Sequence, residues 1–134
     1  MTPLRTNRPD PERHAEPAEI WKARKFIDQH LTEELSLPRV AKAVNITPNY
    51  LSEKFKRVTG INFVEHIARA RSEKACGLLK GGDLRISEIA FAVGFQSLSQ
   101  FNRVFKKLVE KSPTVFRDAH LKRSKARRIR KLKR

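Results

Sequence analysis

Laid over itself, the 134-residue chain matches at an offset of 49 and, a few residues further on, at an offset of 50. Leu35, Val40, Ala41, Ala43, Val44 and Ile46 fall on Leu84, Ile89, Ala90, Ala92, Val93 and Phe95 at the first offset. Leu51, Phe55, Lys56, Arg57 and Val58 then fall on Phe101, Phe105, Lys106, Lys107 and Leu108 at the second. The change of offset means that one residue is inserted in the second copy between its two blocks. Whatever this chain folds into must contain the same small unit twice.

Each copy reads as a short helix with a central Ala, a residue able to take positive φ (Asn45, Gly94), an apolar residue and a second helix. Two helices that cross steeply over a turn of three or four residues leave room for only a small side chain at the crossing, which Ala41 and Ala90 supply. At the turn, Gly94 has no Cβ to strain and Asn45 tolerates the left-handed region. The pattern is a helix-turn-helix written twice. In the first copy Ser36 is an N-cap, Pro38 suits a first turn, and Val40, Ala41 and Val44 share a face that ends near Asn45. Thr47-Pro48 then opens a helix over about 48–59, with Leu51, Phe55 and Val58 inward and Gly60 as its C-cap.

Around the repeats the spacing predicts two further helices. One runs over roughly 17–32 after Pro17, with Trp21, Ile27 and Leu31 as its apolar set. The other starts at Asn62, buries Phe63, Ile67, Ala70, Ala75, Leu78 and Leu79, and stops at Gly81-Gly82. At 1.5 Å per residue this connecting helix would be ~28 Å long, close to the ~34 Å between successive major-groove turns on one face of B-DNA. The predicted fold is all-α: about seven helices forming two helix-turn-helix subdomains, 17–60 and 82–119, joined by a connecting helix at 61–81. Residues 1–16 hold three of the chain's seven prolines and little apolar periodicity, and are expected to be a disordered lead-in.

Charge narrows the class of partner. The chain has 30 Lys and Arg against 14 Asp and Glu, a net +16, with pI about 10.8. From His120 to Arg134 there are nine Lys or Arg and no acid, so more than half of the surplus lies in a basic tail, 120–134. A polyanion is the expected partner, because basic chains release condensed counterions from a phosphate backbone. The tail is expected to be a solvated extension that raises affinity without selecting sequence; the other reading is a helix formed on binding or an arm laid in a minor groove. No apolar run approaches the ~20 residues of a membrane span and no secretory signal opens the chain, so a soluble cytoplasmic protein is expected. The single cysteine, Cys76, allows no internal disulfide. His14, His30, His66 and His120 lack metal-ligand spacing, and no P-loop, nucleophile elbow or HExxH is present. No cofactor, metal or catalytic residue is therefore assigned.

The segment ISEIAFAVGFQSLSQFNRVFKKLVEKSPTVFR at 86–117 closely resembles the C-terminal signature of the AraC/XylS family of bacterial transcription regulators. LPRVAKAVNITPNYLSEKFKRVTGINFVEHIARARSEKACGLL at 37–79 resembles the other half of that family's DNA-binding domain. The resemblance covers about 20–119. It implies a sequence-specific double-stranded DNA-binding transcription regulator that is not an enzyme and places the second helix of each repeat in adjacent major-groove segments. It also implies a monomer on DNA unless a further domain dimerises, and it leaves RNA polymerase open as a second partner. The family's usual sensor domain is not in the sequence, as in its small members or in a piece of a longer protein.

Carried across from that family, the base-contacting candidates are Asn49, Ser52 and Glu53 in the first copy and Ser99, Gln100, Asn102 and Arg103 in the second. Arg103 is the foremost of these, since a bidentate guanidinium on guanine is the commonest specific contact, while Gln100 or Asn102 suits adenine. Lys54, Lys56, Arg57, Lys106 and Lys107 are the phosphate-contacting candidates. Two positions depart from the family pattern. Position 53 is Glu where Arg is frequent, and position 110 is Glu where a Gly often closes the helix, so that this C-cap is expected to be made in another way. Arg69 and Arg71 are placed on the connecting helix, Arg71 in a structural role. Phe55, Phe63, Phe95, Phe101, Phe105 and Phe116 are read as core rather than as stacking platforms for unpaired bases. Two rival functions are an architectural or RNA-binding basic protein with little sequence preference, and a DNA-alkyl acceptor using Cys76.

Overall fold

The computed structural model describes residues 17–132, with side chains described as far as Lys125 apart from Ser124. The lead-in expected at 1–16 lies outside the described residues. Among the described residues there are seven helices and no strand: α1 (Ala18–Gln29), α2 (Leu37–Ala43), α3 (Pro48–Thr59), α4 (Phe63–Gly81), α5 (Ile86–Ala92), α6 (Leu98–Val109) and α7 (Pro113–Leu132). The chain forms two compact units, residues 1–67 and 68–134.

Capping explains why the helices start where they do. The hydroxyls of Ser36, Thr47, Ser97 and Ser112 accept the N–H groups of Arg39, Tyr50, Gln100 and Val115 at 3.0–3.2 Å, and the Asn62 amide oxygen accepts that of Glu65 at 2.8 Å. Each satisfies a donor with no partner inside its own helix, worth about 1 kcal/mol per cap. α5 begins without a hydroxyl; there the Glu88 carboxylate accepts the Arg85 N–H at 2.8 Å.

In the first unit Ile20, Ala23 and Ile27 of α1 are fully buried together with Val40, Ala41, Leu51 and Phe55. This corrects the face expected for α1. Trp21 is 37% exposed, with the Lys25 ammonium 5.0 Å from its ring centroid, so the amphipathic indole sits at the edge of the core and Ile20 fills it. α1 also ends three residues before the expected 32. His30 leaves the helical conformation at φ −122°, and its backbone N–H and Nδ1 both lie within hydrogen-bond distance of the Phe26 carbonyl while its ring stacks on Phe26 at 4.1 Å. Arg39 then steadies the connection to α2, donating to the Glu34 carbonyl and to the Glu33 carboxylate at 2.7 Å.

The second unit is built around Ala75, Leu79, Ile89, Ala90, Val93, Phe95, Phe101 and Phe105. Phe101 stands between Phe95 and Phe105, with ring centroids 5.2 and 5.4 Å away, and Phe116 of α7 meets Phe105 edge-on at 5.6 Å. The boundary between units falls inside α4. Phe63, near its start, sets its ring edge-on to Phe55, and Ala75 and Leu79, near its end, are buried in the second core. α4 stops at Gly81, where Gly82 turns to φ +79°. Residues 120–132, expected as a solvated extension, continue α7 as helix.

Candidate nucleic-acid interface

The two turns are closed by the same bonds. After α2, Asn45 takes φ +67° while the N–H groups of Asn45 and Ile46 donate to the carbonyls of Lys42 and Ala41 at 3.1 and 3.0 Å. After α5, Gly94 takes φ +108° while Gly94 and Phe95 donate to Phe91 and Ala90 at 3.1 and 3.0 Å. This paired closure of a helix end fixes the exit direction of the chain. Ala41 and Ala90, which accept the longer-range bond, have no exposed surface, so nothing larger than a methyl group occupies either crossing.

α3 and α6, twelve residues each, repeat one burial register at the offset of 50. Leu51 and Phe55 match Phe101 and Phe105, all four at zero exposure. The opposite faces are wet: Asn49, Ser52, Glu53, Lys56 and Arg57 on α3, and Ser99, Asn102, Arg103, Lys106 and Lys107 on α6. In each helix the first four of these stand at i, i+3, i+4 and i+7, a spacing that aligns them on one stripe. The cations fall in the last turn, Lys56 and Arg57 or Lys106 and Lys107, where the helix dipole favours positive charge.

Two of the expected site residues are placed differently from the rest. Lys54 is partly buried and stands near the Glu19 carboxylate of α1, whose pKa it helps to lower. Gln100 is also partly buried, and its Oε1 accepts the Gln96 N–H at 3.0 Å. Gln96 is the residue by which the second copy is one longer than the first, and its extra backbone donor is satisfied by the side chain at the third position of α6. With the amide oxygen engaged, the outward group of Gln100 is its NH₂, a donor for acceptors such as guanine O6 or thymine O4 rather than a paired donor and acceptor for adenine.

Sequence reasoning passed over Tyr50, which corresponds to Gln100. Its hydroxyl donates to Glu19 Oε2 at 3.0 Å and so ties α3 to α1. The Glu19 carboxyl is held below its ordinary value by its own backbone N–H and by this hydroxyl, and the Tyr50 phenol is correspondingly raised by the same bond. Leu98, 39% exposed on the first residue of α6, was passed over as well; it places an apolar surface beside Ser99, of the kind that packs on a thymine methyl.

The expected change of C-cap after α6 does not occur. Glu110 itself adopts the left-handed conformation, φ +71°, and donates its N–H to the Lys106 carbonyl at 2.8 Å, as Gly60 does at φ +86° to Lys56 at 2.8 Å. The six core phenylalanines are placed as expected; five are buried and Phe116 is partly buried against the second core. Arg69 is exposed, whereas Arg71 is half-buried and its pKa is lowered by that burial. Cys76 is partly buried on α4, and burial pushes its thiol up, away from the thiolate an alkyl acceptor needs. Among the described residues no group of three or more His, Cys, Asp or Glu is arranged to hold a metal, and no helix is long and apolar enough to cross a membrane.

Known proteins share both the sequence and the fold. A helix-turn-helix domain family model matches residues 40–119. An uncharacterized HTH-type transcriptional regulator of Escherichia coli K12, YijO, is 42% identical over 94 residues, which is 70% of this chain and 33% of that protein. The C-terminal domain of AraT, a response regulator from Geobacillus stearothermophilus, is 35% identical and superposes with a TM-score of 0.75 over 78% of this chain and 87% of that one. The DNA-binding domain of AdpA, solved in complex with a target DNA, has the same fold at 21% identity, with a TM-score of 0.75 over 80% of this chain and 96% of that one. The chain spans about a third of the length of the curated relatives it matches. From the doubled turn, the shared burial register and these likenesses together, the chain belongs to the AraC-type helix-turn-helix family.

Proposed function

We propose that this chain is the DNA-binding part of a cytoplasmic, sequence-specific transcription regulator, and that it lays α3 and α6 in neighbouring major-groove segments of one duplex. The observation that carries the reading is the coincidence of the two burial registers with different residues on the two wet stripes. Packing repeats, so both helices are presented as the same kind of edge. The readers do not repeat, so the preferred site is asymmetric rather than palindromic. A helix fits a groove ~12 Å wide with its outward side chains on base edges, and its cationic last turn lies within reach of phosphates.

In this reading Asn49, Ser52 and Glu53 face one segment, and Ser99, Asn102 and Arg103 the other. Arg103 is bidentate to guanine, Gln100 reads through its NH₂ alone, and Glu53 accepts from a cytosine amino group. Lys56, Arg57, Lys106 and Lys107 hold phosphates, with Lys54 in a lesser role because it is already close to Glu19. The chain binds as a monomer unless a further domain dimerises and does no covalent chemistry, and RNA polymerase stays open as a second partner. In vitro selection from a random duplex library, followed by footprinting of the winners, tests this. Recovery of one asymmetric motif protected over two successive major-groove faces, bound at least ~10³-fold tighter than random duplex, is expected. Absence of any enriched motif would leave only a basic binder of little selectivity.

A further inference from the structure

α7 is 20 residues long, and its first half packs on the second unit. Pro113 is fully buried, Phe116 lies against Phe105, and Arg117 Nε donates to the Leu79 carbonyl at 3.2 Å, satisfying one of the last carbonyls of α4. Leu121 also lies near the end of α4: its Cδ2 would be 3.4 Å from a Cβ built on Gly82. Beyond it Lys122, Arg123 and Lys125 are exposed, and the helix continues to Leu132, a further ~16 Å at 1.5 Å per residue.

The sequence of that second half carries cations at every helical spacing. Between His120 and Arg134 there are nine Lys or Arg and no acid, so positions three and four apart, such as 123 and 127 or 127 and 131, carry like charge. Like pairs at these spacings each destabilise an isolated helix by ~0.2–0.5 kcal/mol, and no acid within the segment offsets them. The α-helical dipole recovers part of this at the C-terminal turn only. What relieves the repulsion is a surface of regularly spaced negative charge.

We infer that the second half of α7 is a further DNA-binding element, a basic helix that lies along the phosphate backbone of the duplex held by α3 and α6 and is strengthened as a helix by that contact. It rests on the reading of the chain as a duplex-DNA binder, and adds a contact that carries affinity and salt dependence but no sequence selection. Cations at every helical spacing suit a backbone track, because a groove-reading helix needs a defined outward stripe of donors and acceptors, and seven of the eleven residues at 122–132 are Lys or Arg.

The test uses the full chain and a variant in which Lys122, Arg123, Lys125, Arg127 and Arg128 are all replaced by Gln, which keeps helix propensity and removes five charges. Binding of the selected duplex and of a random duplex is followed by fluorescence anisotropy across a salt series, with far-UV circular dichroism recorded at each end point. The slope of log K against log salt is expected to fall by about 3–4.5, at ~0.9 per phosphate neutralised, with the selected-to-random affinity ratio unchanged. The helical signal of the full chain should rise on adding duplex, and that of the variant should rise less. An unchanged slope, or a gain of helix with heparin and none with duplex, overturns the inference. Failure of the parent reading looks different: both proteins would then bind selected and random duplex alike. A fall in the affinity ratio with the variant would overturn the inference in another way, by making the segment a reader.

Discussion

Replacing Glu110 by Gly should stabilise the second unit, and the geometry of the α6 C-cap sets the size of the effect. Glu110 holds φ +71° and ψ +14°, a region that costs an L-residue with a side chain ~1–2 kcal/mol. Its carboxylate also stands at the negative end of the α6 dipole, at a cost of about 0.3 kcal/mol for a surface charge. Glycine removes both penalties and adds ~0.4–1 kcal/mol of unfolded-chain entropy in the opposite sense. The net is a gain of about 1 kcal/mol, a rise of ~4–8 °C in the melting of a domain this size. Differential scanning calorimetry, with circular dichroism melts alongside, reads it. Glu110→Gln separates the contributions, since it keeps the backbone strain and removes only the charge, and should recover no more than a third of the gain. Gly60→Ala is the mirror image: a Cβ there meets nothing within 4 Å, so its cost, again about 1 kcal/mol, is backbone strain alone. A Glu110→Gly protein that melts at or below the parent, or a Glu110→Gln protein that shows the whole gain, would refute the reasoning.

Ala90→Leu should destabilise the second unit by ~1–3 kcal/mol in the same calorimetric experiment, because three extra carbons have no space at a fully buried crossing. Arg103→Ala should relax discrimination at one or two base pairs by ~1–3 kcal/mol in a competition series of point-substituted duplexes, with Lys106→Ala weakening all sequences about equally as the contrast. Glu19, whose carboxyl is lowered from 4.5, adds stability that is complete at neutral pH and is lost as pH falls through its folded value; Tyr50→Phe should shrink that acid-side loss in melts recorded from pH 7 to 3. Cys76→Ser should leave duplex affinity unchanged within twofold, as measured by anisotropy.

Much of this architecture is legible in the sequence because stereochemistry leaves few choices at a tight helix-turn-helix. Ala41, Ala90, Asn45 and Gly94 are what such a crossing demands, and the helix openers Ser36, Thr47 and Asn62 fall where an N-cap must. What was not legible depended on packing partners and on turn geometry that no residue pattern specifies. Trp21 is the largest apolar residue of α1, yet Ile20 takes the core, since which of two adjacent apolar residues points inward is settled by the helices that pack on it. Gln100 has the composition of a base reader, and only the folded turn shows its carbonyl serving Gln96. Glu110 defies the residue preference of its own conformation, so a rule based on glycine expects a different cap. Tyr50 found its acceptor 31 residues away, beyond any local pattern.

The two copies keep their hidden anchors and their terminal cations in common while differing at positions 49, 52 and 53 against 99, 102 and 103. On the proposed reading, specificity is thereby decoupled from foldedness: a mutation on a wet stripe would alter preference without touching the apolar seam beneath it. Each half could then drift towards a new target while the other keeps hold of the old one, so a lineage of such proteins would be retuned one half-site at a time without passing through an unfolded ancestor.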